Sequence, residues 1–230
     1  MRRTIALLIL LSGVAAGTAA AQDARPAIAV LPFENGGSYG QDKENFEALQ
    51  VGIPAMLASE LSRNPAIRLI DRSETRKTLS TAEGGGRAHL NAGTSAKLGR
   101  ALGARYVVMG SFVDFYGKFR VNARIIDAGT GEILKVVSND DPKLQDRRDL
   151  SRIIQSVSEK IVAGTRLPAA PTDASRPRTV PTEALTLYSR ALVYHDRGDT
   201  AKATEFYQKA LAAFPDYAEA RDGLRTVGTP

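Results

Sequence analysis

The 230-residue sequence contains no cysteine, no tryptophan and only two histidines. The absence of cysteine excludes disulfides, thiolate metal ligands and a cysteine nucleophile. It also excludes a lipid-modified cysteine as a membrane anchor. His89 lies in a glycine-rich segment and His195 lies far from it near the end of the chain, so we expect no metal site and no cofactor.

The sequence also lacks a run of residues with one sign of charge. Beyond the apolar residues 5–14 near its start, it has no other long apolar run. Its net charge is +6, but basic and acidic residues are interspersed, so we expect no nucleic-acid binding. Arg2 and Arg3 precede apolar residues 5–14, and small residues follow at 19–21. This pattern predicts a secretory signal peptide at residues 1–21. We therefore expect a periplasmic protein without a direct membrane anchor, soluble or peripherally associated with the outer membrane.

Residues 22–166 alternate between strand-like and helix-like patterns, which predicts one α+β or α/β domain. A parallel crossover unit and then an antiparallel meander form its mixed sheet, with helices packed on it. Strict alternation over 118–126 indicates one buried and one solvated face. Ser73 is the expected cap of the second helix. The predicted strands are 27–33, 66–72, 106–115, 118–126 and 133–137, and the predicted helices are 42–62, 73–80, 94–102 (beginning at Thr94 or Ser95) and 145–164.

The rest of the chain divides into a linker and a helical unit. Residues 167–182 contain four prolines among Ala, Ser and Thr, which is typical of a linker. Residues 183–230 are predicted to be an all-α unit, in which residues 184–217 have the spacing of a tetratricopeptide repeat. Arg190 departs from that pattern, and a plain helical hairpin is the alternative.

A single repeat buries too little surface by itself. We therefore expect the unit to dock on its own α/β domain, on a second copy or on a partner. We predict that a partner binds exposed residues of its first helix, namely Tyr188, Leu192 and His195.

Four segments within residues 27–165 occur in the order seen in a known family. They are IAVLPFEN, ELSRNPAIRLIDR, KLGRALGARYVVMGSF and ARIIDAGTGEIL. They resemble the curli secretion component (CsgG) family and the related N-terminal domain of TolB. The resemblance implies a fold used for envelope assembly and protein contacts, without enzymatic activity. The pore role of the curli family does not carry over, because residues 118–126 are barely long enough for a membrane strand and no further alternating pair is present.

Three functions remain in order of preference. The first is a non-catalytic adaptor of cell-envelope assembly or maintenance, in outer-membrane or secretion processes, with other envelope proteins or a second copy as partners. The second is a regulator that activates a peptidoglycan synthase, which the resemblance implies because penicillin-binding-protein-activator lipoproteins are similar to the same segments. The missing lipid anchor counts against it. The last is a glycan hydrolase using Asp114, Asp127 or Glu132 as a carboxylate pair, although Asp127 and Glu132 flank a predicted turn. We expect no enzymatic activity.

Overall fold

The computed structural model describes residues 23–38, 42–82, 90–139, 145–165, 167 and 179–228. The predicted signal peptide, His89 and most of the predicted linker lie outside the described residues. The strands are β1 (Ala27–Asn35), β2 (Arg68–Leu69), β3 (Tyr106–Phe115), β4 (Lys118–Asp127), β5 (Ile133–Ser138) and β6 (Gln145–Asp146). The helices are α1 (Lys43–Ser62), α2 (Arg72–Thr81), α3 (Ala92–Ala101), α4 (Leu150–Gly164), α5 (Thr182–Asp196), α6 (Thr200–Ala213) and α7 (Ala218–Val227).

The strands form one mixed sheet in the order β2-β1-β3-β4-β5, and β6 pairs with the first residues of β4. β1 runs parallel to both β2 and β3, whereas β4 runs antiparallel to both β3 and β5. The predicted parallel crossover followed by an antiparallel meander is therefore confirmed. Among the helices of the described residues, none has the length and apolar character of a membrane span.

The β3–β4 hairpin sets the geometry of the sheet. Its ten-residue ladder runs from the Tyr106–Asp127 pair to the Phe115–Lys118 pair without a break. Tyr116 and Gly117 close the turn with φ angles of 51° and 84°, a region that glycine adopts without strain. The alternation predicted for β4 is confirmed, because its apolar residues Phe119, Val121, Ala123 and Ile125 are buried.

Helices α1 and α4 cover one face of the sheet, and α2 and α3 cover part of the other. Six apolar side chains recur at helical spacing along α1, as predicted, and all are buried in the core that the helices share with the sheet. Burial of each contributes about 1.5–3 kcal/mol before the entropy of ordering is subtracted. The six residues are Phe46, Leu49, Ile53, Met56, Leu57 and Leu61.

Three predicted helix starts are wrong in detail. α3 begins at Ala92, not at Thr94 or Ser95, because its N-cap is Asn91, whose side chain accepts the N–H of Thr94 at 2.9 Å. The N-cap of α2 is Asp71, not Ser73, because the Asp71 carboxylate accepts the backbone N–H of Ser73 at 2.7 Å. α4 begins at Leu150, since residues 145–149 form β6 and a 3-10 turn before it. Pairing of β6 with β4 is a tertiary contact that local periodicity does not report.

The C-terminal helices rest on the α/β domain. α5 packs along α1, and α6 and α7 follow it through turns at Gly198 and Tyr217. Just before α5, the N–H of Val180 donates to the hydroxyl of Ser151 at 3.2 Å. The hydroxyl of Thr182 donates to the carbonyl of Arg147 at 2.9 Å. The end of the predicted linker is therefore fixed to the α/β domain, and assignment of a tetratricopeptide repeat stays a prediction.

Candidate functional site

Two of the three acidic residues considered for catalysis, Asp114 and Asp127, hold turns of the β-sheet through their carboxylates. The third, Glu132, is exposed, and only its backbone carbonyl takes part in the turn, where it accepts the N–H of Asp127 at 3.0 Å. Asp114 is 2% exposed, and its Oδ1 accepts the N–H of Gly117 at 2.6 Å. Its Oδ2 forms an ion pair with Arg147 Nη1 at 2.9 Å without a directed hydrogen bond. The Asp127 carboxylate accepts the N–H groups of Gly129 at 2.8 Å and Thr130 at 3.0 Å. These carboxylates stabilise the backbone of two hairpin turns.

Asp114 and Asp127 are not arranged as a glycosidase pair. Asp127 pairs with Tyr106 at one end of β3, and Asp114 lies at the other end of that strand. The rise of a β-strand separates them by about 26 Å, whereas glycosidase carboxylates lie about 5–10 Å apart. Within the described residues, no group of three or more His, Cys, Asp or Glu side chains is close enough to hold a metal ion.

The interface between α1 and α5 is close and depends on a glycine. A Cβ atom placed on Gly52 of α1 would lie 1.7 Å from Ser189 Oγ and 2.5 Å from Ser189 Cβ of α5. Ser189 is fully buried, and its hydroxyl donates to the carbonyl of Leu185 one turn earlier at 2.7 Å. Only a residue without a side chain allows the two helix backbones to approach this closely.

Polar contacts surround this apolar interface. Asp196 at the end of α5 forms ion pairs with Arg72 and Arg76 of α2, the latter at 3.5 Å. Near the middle of α5, Arg190 pairs with Glu44 of α1 at 2.8 Å. The ion pairs therefore join α5 to both α1 and α2.

A further contact comes from the loop before α7. The hydroxyl of Tyr217 lies 2.9 Å from the sulfur of Met56, and both side chains are buried. The hydroxyl of Ser59 in α1 also donates to the carboxylate of Glu219 in α7. The whole C-terminal unit, not α5 alone, is therefore bound to α1.

The three predicted partner-binding residues do not share an exposed face. Tyr188 and Leu192 are 7% and 5% exposed, so the expectation that they are exposed is wrong. Tyr188 packs against Tyr207 and Tyr217, with ring centroids 6.0 and 5.1 Å apart. His195 is half-buried, and its Nδ1 lies 3.2 Å from the Tyr207 hydroxyl. Their burial follows from docking of α5 on this chain, and a role in partner binding stays a prediction.

Burial also shifts the titration of this aromatic cluster. It raises the pKa of Tyr207 from 10.0 to about 12, and it raises the pKa of Tyr188 further. Burial lowers the pKa of His195, since the charged imidazolium is desolvated beside Tyr207. Near neutral pH the cluster is therefore uncharged, which suits packing and not proton transfer.

Exposed apolar side chains instead lie in two patches on the sheet. One is the tip of the β3–β4 hairpin, where Phe115 is 57% and Tyr116 is 93% exposed. The other is the outer strand β5, where Ile133, Leu134 and Val136 are exposed. The sequence contained a signal for the second patch, because apolar residues stand at both odd and even positions of β5 without alternation.

A comparison with family models finds one match within the chain. The model described as "Curli production assembly/transport component CsgG" matches residues 11–120. The predicted resemblance to the CsgG family is confirmed. The match includes β1, α1, β2, α2, α3 and β3 and ends in β4, short of the region to residue 165 over which the motifs were compared. The CsgG-like segment thus contains the face of α1 on which α5 docks.

Solved structures similar to the chain include three named proteins. The LpoB C-terminal domain from Salmonella enterica is 17% identical with a TM-score of 0.35, covering 49% of this chain and 79% of that one. TolB from Acinetobacter baumannii is 17% identical with a TM-score of 0.36, and the match covers 61% of this chain and 29% of that one. The PelC dodecamer from Paraburkholderia phytofirmans is 15% identical with a TM-score of 0.38, and the match covers 63% of this chain and 90% of that one. No curated protein matches the chain.

Proposed function

We propose that this protein is a non-catalytic periplasmic adaptor that holds other envelope proteins during assembly or maintenance of the cell envelope. The proposal rests on the contrast between acidic side chains that hold turns and apolar side chains that are exposed. Carboxylates that could react are engaged in turns, whereas large apolar side chains are exposed on the hairpin tip and on β5. Exposed apolar patches on a folded domain are typical of surfaces that bind other proteins.

The docked C-terminal unit also supports an adaptor. Its helices pack on α1 through a close apolar interface, so the α/β domain and the helical unit form one extended rigid surface. A rigid surface loses little conformational entropy on binding, which favours recognition of a partner.

Site-specific cross-linking in the native host tests the proposal. A photo-reactive residue replaces Tyr116 or Val136, and a control variant carries it at Arg152, an exposed arginine of α4. We expect adducts with envelope proteins at positions 116 or 136 and none at 152. Recovery of outer-membrane or secretion components supports the adaptor, whereas recovery of a peptidoglycan synthase supports the regulator. If none of the positions gives an adduct, the proposal is wrong.

A second assay addresses catalysis directly. The purified mature protein is incubated with isolated peptidoglycan, and released fragments are measured by chromatography. We expect no release. Release that an Asp127→Asn substitution abolishes, in a variant with unchanged thermal stability, would establish a hydrolase instead.

A further inference from the structure

The outer strand β5 is an unusually apolar sheet edge. It is the last strand in the order of the sheet, and among the described residues no strand pairs with its outer side. Ile133, Leu134 and Val136 are 47%, 41% and 58% exposed. Proteins normally protect such an edge with proline, a bulge or inward-pointing charges, because its free backbone groups can pair with another strand. β5 contains no proline, and its bulge lies at its start, beside Ile126.

The backbone of β5 has a defined outward side. The N–H of Asn139 donates to the Val121 carbonyl of β4 at 3.3 Å, and successive residues of a strand alternate in direction. The N–H and carbonyl groups of Val136 and Ser138 therefore point away from β4. The Ser138 carbonyl indeed accepts Lys160 Nζ of α4 at 2.8 Å.

A groove runs along this outward side. Its floor is the end of α4, where a Cβ on Gly164 would lie 3.2 Å from Lys135 Cβ and 2.8 Å from Ile125 Cδ1. The groove has a volume of about 340 Å³ and is lined by residues 135–138 together with Lys160, Ala163 and Gly164. The small residues of α4 leave space beside the strand, as a helix does in domains that bind a peptide as an added strand.

The positive charge of the groove indicates which kind of segment would bind in it. Lys135 and Lys160 line it, and the exposed Arg124 lies opposite Val136 on β4. A second groove, about 780 Å³ in volume, continues past Leu134 to Arg105. Asp127 also lines this second groove, but its carboxylate accepts the N–H groups of its own turn. Basic side chains therefore surround an apolar edge.

We propose that β5 binds an extended segment of a partner protein, which adds to the sheet as a further strand and carries acidic side chains beside Lys135. This inference rests on the proposed function and specifies the chemistry of the partner. Aliphatic side chains of the added strand would cover Leu134 and Val136. A second copy of β5 fits less well, because antiparallel pairing would bring lysines of the two copies together, and like charges across a ladder are destabilising.

Synthetic peptides test this inference on the mature protein. The probe is a seven-residue peptide of alternating Val and Glu, and the comparison peptides carry Lys in place of Glu or N-methyl groups on every amide. We expect the Val-Glu peptide to bind and to slow hydrogen exchange of the Val136 amide, measured by NMR. The N-methylated and Lys-containing peptides should each bind at least about tenfold more weakly, the loss expected for one hydrogen bond or one charge contact.

Substitutions in the protein provide the matched test. Val136→Pro removes an outward N–H without a loss of β4 hydrogen bonds, so the strand should tolerate it. We expect this variant to bind the Val-Glu peptide at least about tenfold more weakly at unchanged thermal stability. Tyr116→Ser removes a side chain at the hairpin tip that is more exposed than Val136. Its affinity for the peptide should equal that of the unmodified protein.

Five results would overturn the inference. Four are absence of peptide binding at millimolar concentration, equal binding of the Glu and Lys peptides, unchanged affinity in Val136→Pro, and dimerisation that Val136→Pro abolishes. Cross-linking from position 136 to another segment of the same chain would do so as well. If envelope proteins cross-link at position 116 but the peptide tests fail, the adaptor function stands and only the strand site is wrong.

Discussion

Substitution of Gly52 by alanine is the sharpest test of how the C-terminal unit is held. The added Cβ would lie 2.5 Å from Ser189 Cβ and 3.2 Å from Ser189 Cα. Rotation of the Ser189 hydroxyl removes the clash with Oγ, but it cannot move Cβ or Cα. The axes of α1 and α5 must therefore separate by about 1 Å to restore a normal carbon–carbon contact of about 3.5–4 Å.

Two opposing contributions determine the expected magnitude. Alanine in place of glycine inside a helix stabilises by about 1 kcal/mol. Overpacking of a tight interface costs about 1–3 kcal/mol, and separation of α5 also weakens the contacts of Tyr188 and Tyr217 behind it. We expect Gly52→Ala to lower the free energy of unfolding by about 1–2 kcal/mol, or the melting temperature by about 2–8 °C.

Thermal and urea denaturation of the mature protein measure this change, and a double-mutant cycle identifies its origin. Ser189→Gly removes both Oγ and Cβ, so it should restore part of the stability of Gly52→Ala, whereas Ser189→Ala retains Cβ and should not. If Gly52→Ala is as stable as the unmodified protein or more stable, α5 does not pack on Gly52 in solution and the docked arrangement is wrong.

Three further predictions concern charged and titrating side chains. Because burial raises the pKa of Tyr207 to about 12, its contribution to stability is complete below about pH 10 and is lost between about pH 10 and 12. Tyr207→Phe should therefore weaken the loss of stability in urea denaturation between about pH 10 and 12, and an unchanged loss would contradict this. Arg147→Met leaves buried Asp114 without its ion pair and should cost about 1–3 kcal/mol, given that Arg147 is 34% exposed. Arg148→Met should change thermal stability little, and equal effects of the two substitutions would refute the role of the pair. Asp196→Asn should cost about 1 kcal/mol at low salt and less at about 1 M salt, and a cost independent of salt would exclude its ion pairs as the cause.

The elements of the α/β domain could be predicted because their periodicity is carried by local residues. Alternation along β4 and the helical spacing of Phe46, Leu49 and Ile53 in α1 each report a buried face. The errors lie where the contact that decides the structure is not reported by periodicity. The cap of α2 depends on whether Asp71 or Ser73 accepts the first N–H groups, and β6 exists only through its pairing with β4.

The location of the C-terminal unit was less accessible to sequence reasoning. Periodicity showed that Tyr188 and Leu192 belong to one face of α5, but not whether that face meets solvent, a partner or this chain. A signal was present on α1, where the small residues Ala48, Gly52 and Ala55 recur at spacings of four and three. Such a stripe permits another helix to approach closely, and α5 packs along α1 at Gly52.

The docked arrangement also explains how the helical unit of α5, α6 and α7 buries an apolar face. Such a unit needs a second apolar surface, and α1 provides one through Gly52 and Met56. The face of α5 that would otherwise bind a partner is thereby used within the chain. Among the described residues, the large apolar side chains that remain exposed lie on the sheet, at the hairpin tip and on β5. Partner binding is therefore expected at the sheet, and the helical unit stiffens the domain that presents it.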